Sequence, residues 1–207
     1  CASVIDCQTN QVLFNQAMTV EEVKAVLEHL KQFDLIPMIA KDDHMYVNNV
    51  FNNRIKWKDK EINIIEYESR GGKYLLCEQA DLAAFANFEL NKILIAGDPD
   101  YLQANYEAIR KPFVGRLSSM FTAAFYYEFT ANGIDKGNAL RAVLTPMDID
   151  AKDCISFGDG QNDMSIIEFA GLGVAMENAV DELKNAAQEV TASHDNDGIA
   201  LVVERYL

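Results

Sequence analysis

At 207 residues, 49% of them hydrophobic, the chain is long enough for one large domain or two small ones and can bury a real core. Its 18 basic against 32 acidic residues leave a net charge of −14, and with no Lys/Arg cluster in the text this argues against nucleic acid or an anionic membrane surface as a partner. No apolar run approaches the ~18 residues of a membrane span, there is no basic-then-apolar leader, and Cys1, Cys7, Cys77 and Cys154 form no CxxC pair, so the sequence reads as soluble, intracellular and cytoplasmic, with reduced thiols and no zinc site.

In chain order, Ala2–Asp6 and Gln11–Phe14 flank a polar tip and predict a β-hairpin. Thr19-Val-Glu-Glu22 matches a capping box, and Val23, Val26, Leu27 and Leu30 share one face of a helix expected to run to about Gln32. Between Leu35 and Gly72 the pattern is mixed, with strands expected at Ile36–Ala40 and Met45–Val47 and turns over Asn48–Asn53. His29 and His44 lie in this half without a second ligand at metal-site spacing, and Trp57 and Tyr67 read as packing residues. A short helix over Asp81–Phe88, a strand over Lys92–Ala96 and a helix from Tyr101 to Arg110 follow, the last started by Asp98-Pro99. Phe113–Met120 and Ala123–Thr130 read as two antiparallel strands.

After Gly133 helices and strands alternate. Helices are expected over Lys136–Leu144, 164–170, 180–188 and 198–206, and strands over 154–157, Gly173–Met176 and Val190–Thr191. That alternation predicts a parallel sheet joined by right-handed crossovers. Its carboxyl edge is where an open α/β sheet places its ligands. Ile155-Ser-Phe-Gly-Asp-Gly-Gln-Asn-Asp-Met164 supplies the chemistry there: Gly158 and Gly160 permit a sharp turn, and Asp159, Asn162 and Asp163 project beyond the strand. Mg²⁺ prefers oxygen ligands and takes only one or two carboxylates, which makes Asp159 the first candidate for a metal ligand. The same Gly-Asp-Gly turn with Asn and Asp behind it is also ordinary loop and capping chemistry. Lys136, at the start of a helix one strand away, could bring a flexible ammonium to the same edge, although a lone Lys-Gly is also what a solvated surface lysine looks like.

In combination these segments resemble a known family. Ile134-Asp-Lys-Gly-Asn-Ala-Leu140, Ile155–Asp163, Ala170-Gly-Leu-Gly-Val-Ala-Met-Glu-Asn-Ala179 and Thr191-Ala-Ser-His-Asp-Asn-Asp-Gly198 are similar, in order and spacing, to the second half of the Cof-like (type IIB capped) haloacid dehalogenase-superfamily phosphatases. The resemblance implies an α/β fold: the C-terminal half of a Rossmann-like core with a parallel sheet, plus a large α+β cap of C2B type. The expected division is a core hairpin remnant at 1–18, the cap at 19–115 and the C-terminal core half at 116–207. It further implies Mg²⁺-dependent hydrolysis of phosphomonoesters of small metabolites, sugar phosphates among them, through an aspartyl-phosphate. Lys136 would pair with the nucleophilic carboxylate and the phosphate, Asn162 would hydrogen-bond the phosphoryl group, Asp159 would bind the metal, and Asp163 would support it.

One departure is serious. The family's strand followed by Asp-x-Asp-Gly-Thr, whose first Asp is the nucleophile, is not found. Asp98-Pro-Asp100 and Asp148-Ile-Asp150 lack the Gly-Thr continuation and read as helix-initiating and turn acids. Because the chain opens at Cys1, without Met and directly into strand-like sequence, the expectation is that the preceding core half is missing, so that this chain alone is inactive. The alternative is an inactive module that binds phosphate or metal. A half-core would also leave an apolar sheet edge open to self-association.

Overall fold

A computed structural model describes residues 2–206, which divide into two units: one formed by 3–15 with 134–206, the other by 16–133 together with Ala2. The chain starts with β1 (Ser3–Ile5) and β2 (Val12–Asn15), an antiparallel hairpin with Ser3 opposite Asn15. Asp6 closes its tip, accepting from the backbone N–H groups of Gln8 and Thr9 at 2.9 and 2.7 Å.

The unit of residues 16–133 opens with α1 (Val20–Leu30), where Thr19 and Glu22 form the reciprocal capping box and Val23, Val26, Leu27 and Leu30 are buried. Then come β3 (Ile36–Lys41), β4 (His44–Val47), the hairpin of β5 (Arg54–Trp57) and β6 (Lys60–Asn63), α2 (Ile64–Gly72), β7 (Leu75–Glu78) and α3 (Leu82–Phe85). The unit closes with β8 (Ile93–Ala96), α4 (Pro99–Arg110), β9 (Leu117–Ala123) and β10 (Tyr126–Ala131). Its main sheet has six strands in the order β7-β4-β3-β8-β10-β9, antiparallel except for the β4–β7 pair. One face carries Tyr127 and Phe129, packed with Phe121, Phe113 and Tyr106 of α4 at ring separations of 4.9–6.4 Å. The opposite face carries Ile36, Met38, Met45, Val47, Leu94 and Tyr126, covered by Ile55 of β5 and by Ile64 and Ile65 of α2.

The remaining elements are α5 (Lys136–Leu144), β11 (Ile155–Gly158), α6 (Met164–Phe169), β12 (Leu172–Ala175), α7 (Asp181–Ala186), β13 (Glu189–Val190) and α8 (Gly198–Val203). β11, β12 and β13 form the expected parallel sheet in that order, with Ile155 beside Leu172 and Ala175 beside Val190. Ile167, Ala175, Ala179 and Leu183 are the buried cluster under it. The buried hydroxyl of Ser156 donates to the Ile166 carbonyl at 2.8 Å, tying β11 to α6.

Two expectations are corrected. The division falls at Gly133 rather than at 115/116, because β10 pairs with β8 (Tyr126 opposite Ala96) and β9 pairs with β10, so 116–133 completes the six-stranded sheet. Phe113 starts no strand; it closes a 3₁₀ turn over Lys111–Phe113 and is buried against Phe129.

Candidate active site

Loops leaving the carboxyl ends of the parallel strands build the site. Asp159 is the first residue beyond β11; residues 161–163 make one 3₁₀ turn and lead into α6. The loop after β12 is stapled onto this turn: Met176 N–H donates to the Gly158 carbonyl at 2.9 Å and Val180 N–H to the Asp159 carbonyl at 3.0 Å. Gly158 and Gly160 both keep ordinary negative or extended backbone, the positive-φ glycines being Gly115 and Gly133. The reason for glycine at 158 is space, since a β-carbon there would stand 2.5 Å from the β-carbon of Asp163. The turn is tight because a carboxylate side chain is laid across it.

Lys136 is the first residue of α5, where an ammonium opposes the helix dipole. Its place is explained by Asp163, whose Oδ1 accepts a charge-assisted hydrogen bond from Lys136 Nζ. Gly137 makes the approach possible: its N–H donates to Ser165 Oγ at 3.1 Å, and a β-carbon there would lie 2.4 Å from the Ser165 carbonyl oxygen. The Lys-Gly dipeptide therefore has a structural logic, with glycine letting α5 close on α6 and lysine reaching the acid that precedes α6.

Asp163 is the anchor of the cluster. Its side chain is 9% exposed against 31% for Lys136. Oδ2 accepts from the backbone N–H groups of Asp159 at 3.0 Å and Gly160 at 3.2 Å, so both carboxylate oxygens are engaged. Burial pushes this carboxyl up, but the hydrogen bond from Lys136, the two backbone N–H groups and the lysine charge together outweigh it and hold the group below the usual carboxylate range. At neutral pH Asp163 is an ionised brace and has no proton to donate.

Asp159 is exposed, and its Oδ2 accepts from the Asn178 amide at 3.2 Å. Among the described residues no hydrogen bond reaches its Oδ1. Asn162, also exposed, lays its amide oxygen over Gly160, 2.7 Å from where a β-carbon would be. Among the described residues no group of three or more His, Cys, Asp or Glu is arranged to hold a metal ion. A Mg²⁺ ion is commonly held by only one or two carboxylates and completes its shell with water and phosphate oxygens. Asp159 suits the part of such a ligand, and Asp163 does not, since both of its oxygens are already spoken for.

The other acids and histidines weighed in the sequence do local work. Asp98 caps α4 by accepting from Asp100 N–H at 3.1 Å, and Asp150 accepts from Lys152 N–H at 3.1 Å and Lys152 Nζ at 2.8 Å. His29 sits edge-on to Phe33 and Phe113, and His44 pairs with Asp43 at 2.6 Å. Asn178 is the residue that sequence reasoning missed; it lies inside the Ala170–Ala179 segment already singled out, but nothing in the text says that its side chain turns toward Asp159.

A model of haloacid dehalogenase-like hydrolases matches residues 2–203. The chain belongs to that family. A candidate phosphatase of Haemophilus influenzae is 30% identical over 204 residues, covering 95% of this chain and 76% of that protein. The chain's match to a Streptococcus pyogenes candidate phosphatase is also 30% identical but spans 121 residues, 58% of this chain and 45% of the relative. Among solved structures, a haloacid dehalogenase-like hydrolase from Bacteroides thetaiotaomicron superposes with a TM-score of 0.86 at 25% identity, covering all of this chain and 74% of the other. A sugar phosphatase of subclass IIB shares the fold at a TM-score of 0.73 and 20% identity, over 95% of this chain and 70% of its own. The mixed α/β fold expected from the Cof-like resemblance is the fold of this hydrolase family. Among the described residues, no helix is long and apolar enough to cross a membrane.

Proposed function

We propose that these residues form the cation- and phosphoryl-handling part of a Mg²⁺-dependent phosphomonoester hydrolase acting on small phosphorylated metabolites. The observation that carries this reading is the Lys136–Asp163 pair, braced against the backbone of Asp159 at the carboxyl edge of a parallel sheet. Membership of the haloacid dehalogenase-like hydrolases supports it, as do relatives named as candidate phosphatases; the fold shared with a sugar phosphatase favours sugar phosphates as substrates.

Phosphoryl transfer asks a protein mainly for positioning and for positive charge where oxygens gather negative charge. In this proposal Asp159 would hold the cation, and Lys136 Nζ, held by Asp163, faces the phosphate and the attacking carboxylate. The Asn162 amide donates to a phosphoryl oxygen. Bound Mg²⁺ would supply further charge neutralisation on the phosphoryl oxygens. A carboxylate oxygen bonds to phosphorus as the P–O bond to the metabolite breaks, an acid protonating the departing oxygen to the alcohol; water, giving up a proton to the base so formed, then attacks phosphorus as the P–O bond to the carboxylate breaks, which releases inorganic phosphate and restores the carboxylate. No Asp-x-Asp-Gly-Thr occurs in these 207 residues, so we infer that by themselves they bind phosphate without turning an ester over. The segment 16–133 serves as the cap in this reading.

The test is calorimetric titration of inorganic phosphate in the presence of Mg²⁺, alongside p-nitrophenyl phosphate turnover. The expected result is phosphate binding that K136M and D159A each remove, with no metal-dependent turnover by the wild-type chain. Equal phosphate binding by the wild type and both variants would contradict the site. Metal-dependent turnover abolished by D159A would instead put an attacking group within the chain.

A further inference from the structure

Two segments singled out in the sequence, Ala170–Ala179 and Thr191–Gly198, are not used by the chemistry proposed above, yet the first reaches the Asp159 carboxylate through Asn178 and the second holds Asn178. Asn178 Nδ2 donates to Asp159 Oδ2 at 3.2 Å, while Asn178 Oδ1 accepts from the backbone N–H of His194, also at 3.2 Å. Both functional ends of one amide are thereby committed, and its orientation follows from its partners: a backbone N–H can only donate, so the end facing His194 must be the oxygen.

The His194 end is itself fixed. Thr191 N–H donates to the Ala175 carbonyl at 2.9 Å, continuing the β12–β13 pairing, and the Thr191 hydroxyl donates to the Gly198 carbonyl at 2.8 Å. Gly198 N–H donates to the Ser193 carbonyl at 3.2 Å, and the Asn196 amide donates to Ser193 Oγ at 3.0 Å. The turn that offers the His194 N–H is thus tied to the sheet at one end and to the start of α8 at the other. Asp159 is held in turn through three groups: its N–H by Asp163, its carbonyl by Val180 and its Oδ2 by Asn178.

We infer that Asn178 is a positioning residue, a clamp that fixes the Asp159 carboxylate from the 191–198 turn and leaves Oδ1 as the oxygen offered to a hard divalent cation. The inference rests on the reading of Asp159 as a metal ligand and adds to it a reason for the two unused segments. A partner that orients a metal-binding group without touching the metal typically accounts for about 10–100-fold in affinity.

The experiment is Mg²⁺ titration of the full ¹⁵N-labelled chain by NMR, read at the Asp159 and Gly160 amides, for wild type, D159A and N178A. Wild type should titrate, D159A should not, and N178A should titrate with affinity weakened about tenfold or more. N178A titrating like wild type while D159A fails would overturn the clamp and leave the metal ligand standing. D159A titrating like wild type, or a wild type that shows no response, would remove the metal ligand and the clamp with it. A second measurement needs no variant: in the metal-free wild type the Asn178 side-chain amide and His194 N–H should exchange with solvent more slowly than the exposed amides around them. Exchange at the rate of free amides would overturn the clamp even if N178A fails to fold.

Discussion

The most consequential residue is Asp163, an acid whose value lies in staying charged. Its hydrogen-bonded carboxylate sits below the ordinary range, so it contributes stability that is fully present above the unfolded value of about 3.9 and is lost as pH falls through the lower folded value. Denaturant unfolding at pH 6 and at progressively lower pH should therefore show a smaller acid-side loss of stability in D163N than in wild type; identical profiles would deny the shift. Removing the partner should be costly, because K136M leaves a nearly buried carboxylate with two backbone donors and no cation. The expected loss is about 1–3 kcal/mol by chemical denaturation, moderated because the lysine is itself partly exposed. Both residues were legible in the sequence as members of one cluster, but their direct pairing was not, since a separation of 27 positions says nothing about which atoms meet.

At the scale of elements, the approach of α5 to α6 is set by a missing side chain. G137A should cost about 1–3 kcal/mol of stability and also weaken phosphate binding, because the new methyl meets backbone rather than a movable side chain and must push Lys136 away from Asp163. Thermal melts and the phosphate titration read the two effects, and a variant with unchanged stability would show that the helices are not in such close contact. At α1, loss of the reciprocal cap in T19A should cost about 1 kcal/mol. That cap and the buried stripe behind it could be read directly, because a capping box and 3.6-residue periodicity are local signals. The hairpin of β5 and β6 could not. Each strand has four residues, and the turn between them places Lys58 at φ +55°, a position where Gly or Asn would have announced it. The helix α2 was hidden for a related reason: its last residues are Gly71 and Gly72 and its cap Lys73 takes left-handed backbone, so its end reads as a loop.

At the scale of the molecule, the division at Gly133 is the feature the sequence placed least well. The alternation that begins with Lys136 marks the parallel sheet clearly, but β9 and β10 carry no mark of which sheet they complete; only their pairing with β8 decides it. Since residues 16–133 are continuous and contain every strand of their six-stranded sheet, that segment expressed alone should fold and melt in a single cooperative transition. The same segment cut at residue 115 should not, because it loses β9 and β10; equal cooperativity would contradict the division. The most direct test of the whole account is a crystal structure of the chain soaked with Mg²⁺ and inorganic phosphate. The prediction is a cation about 2.0–2.1 Å from an oxygen of Asp159, and a phosphate oxygen about 2.7–3.2 Å from Lys136 Nζ. A cation and phosphate bound elsewhere, with Lys136 and Asp159 touching neither, would contradict it.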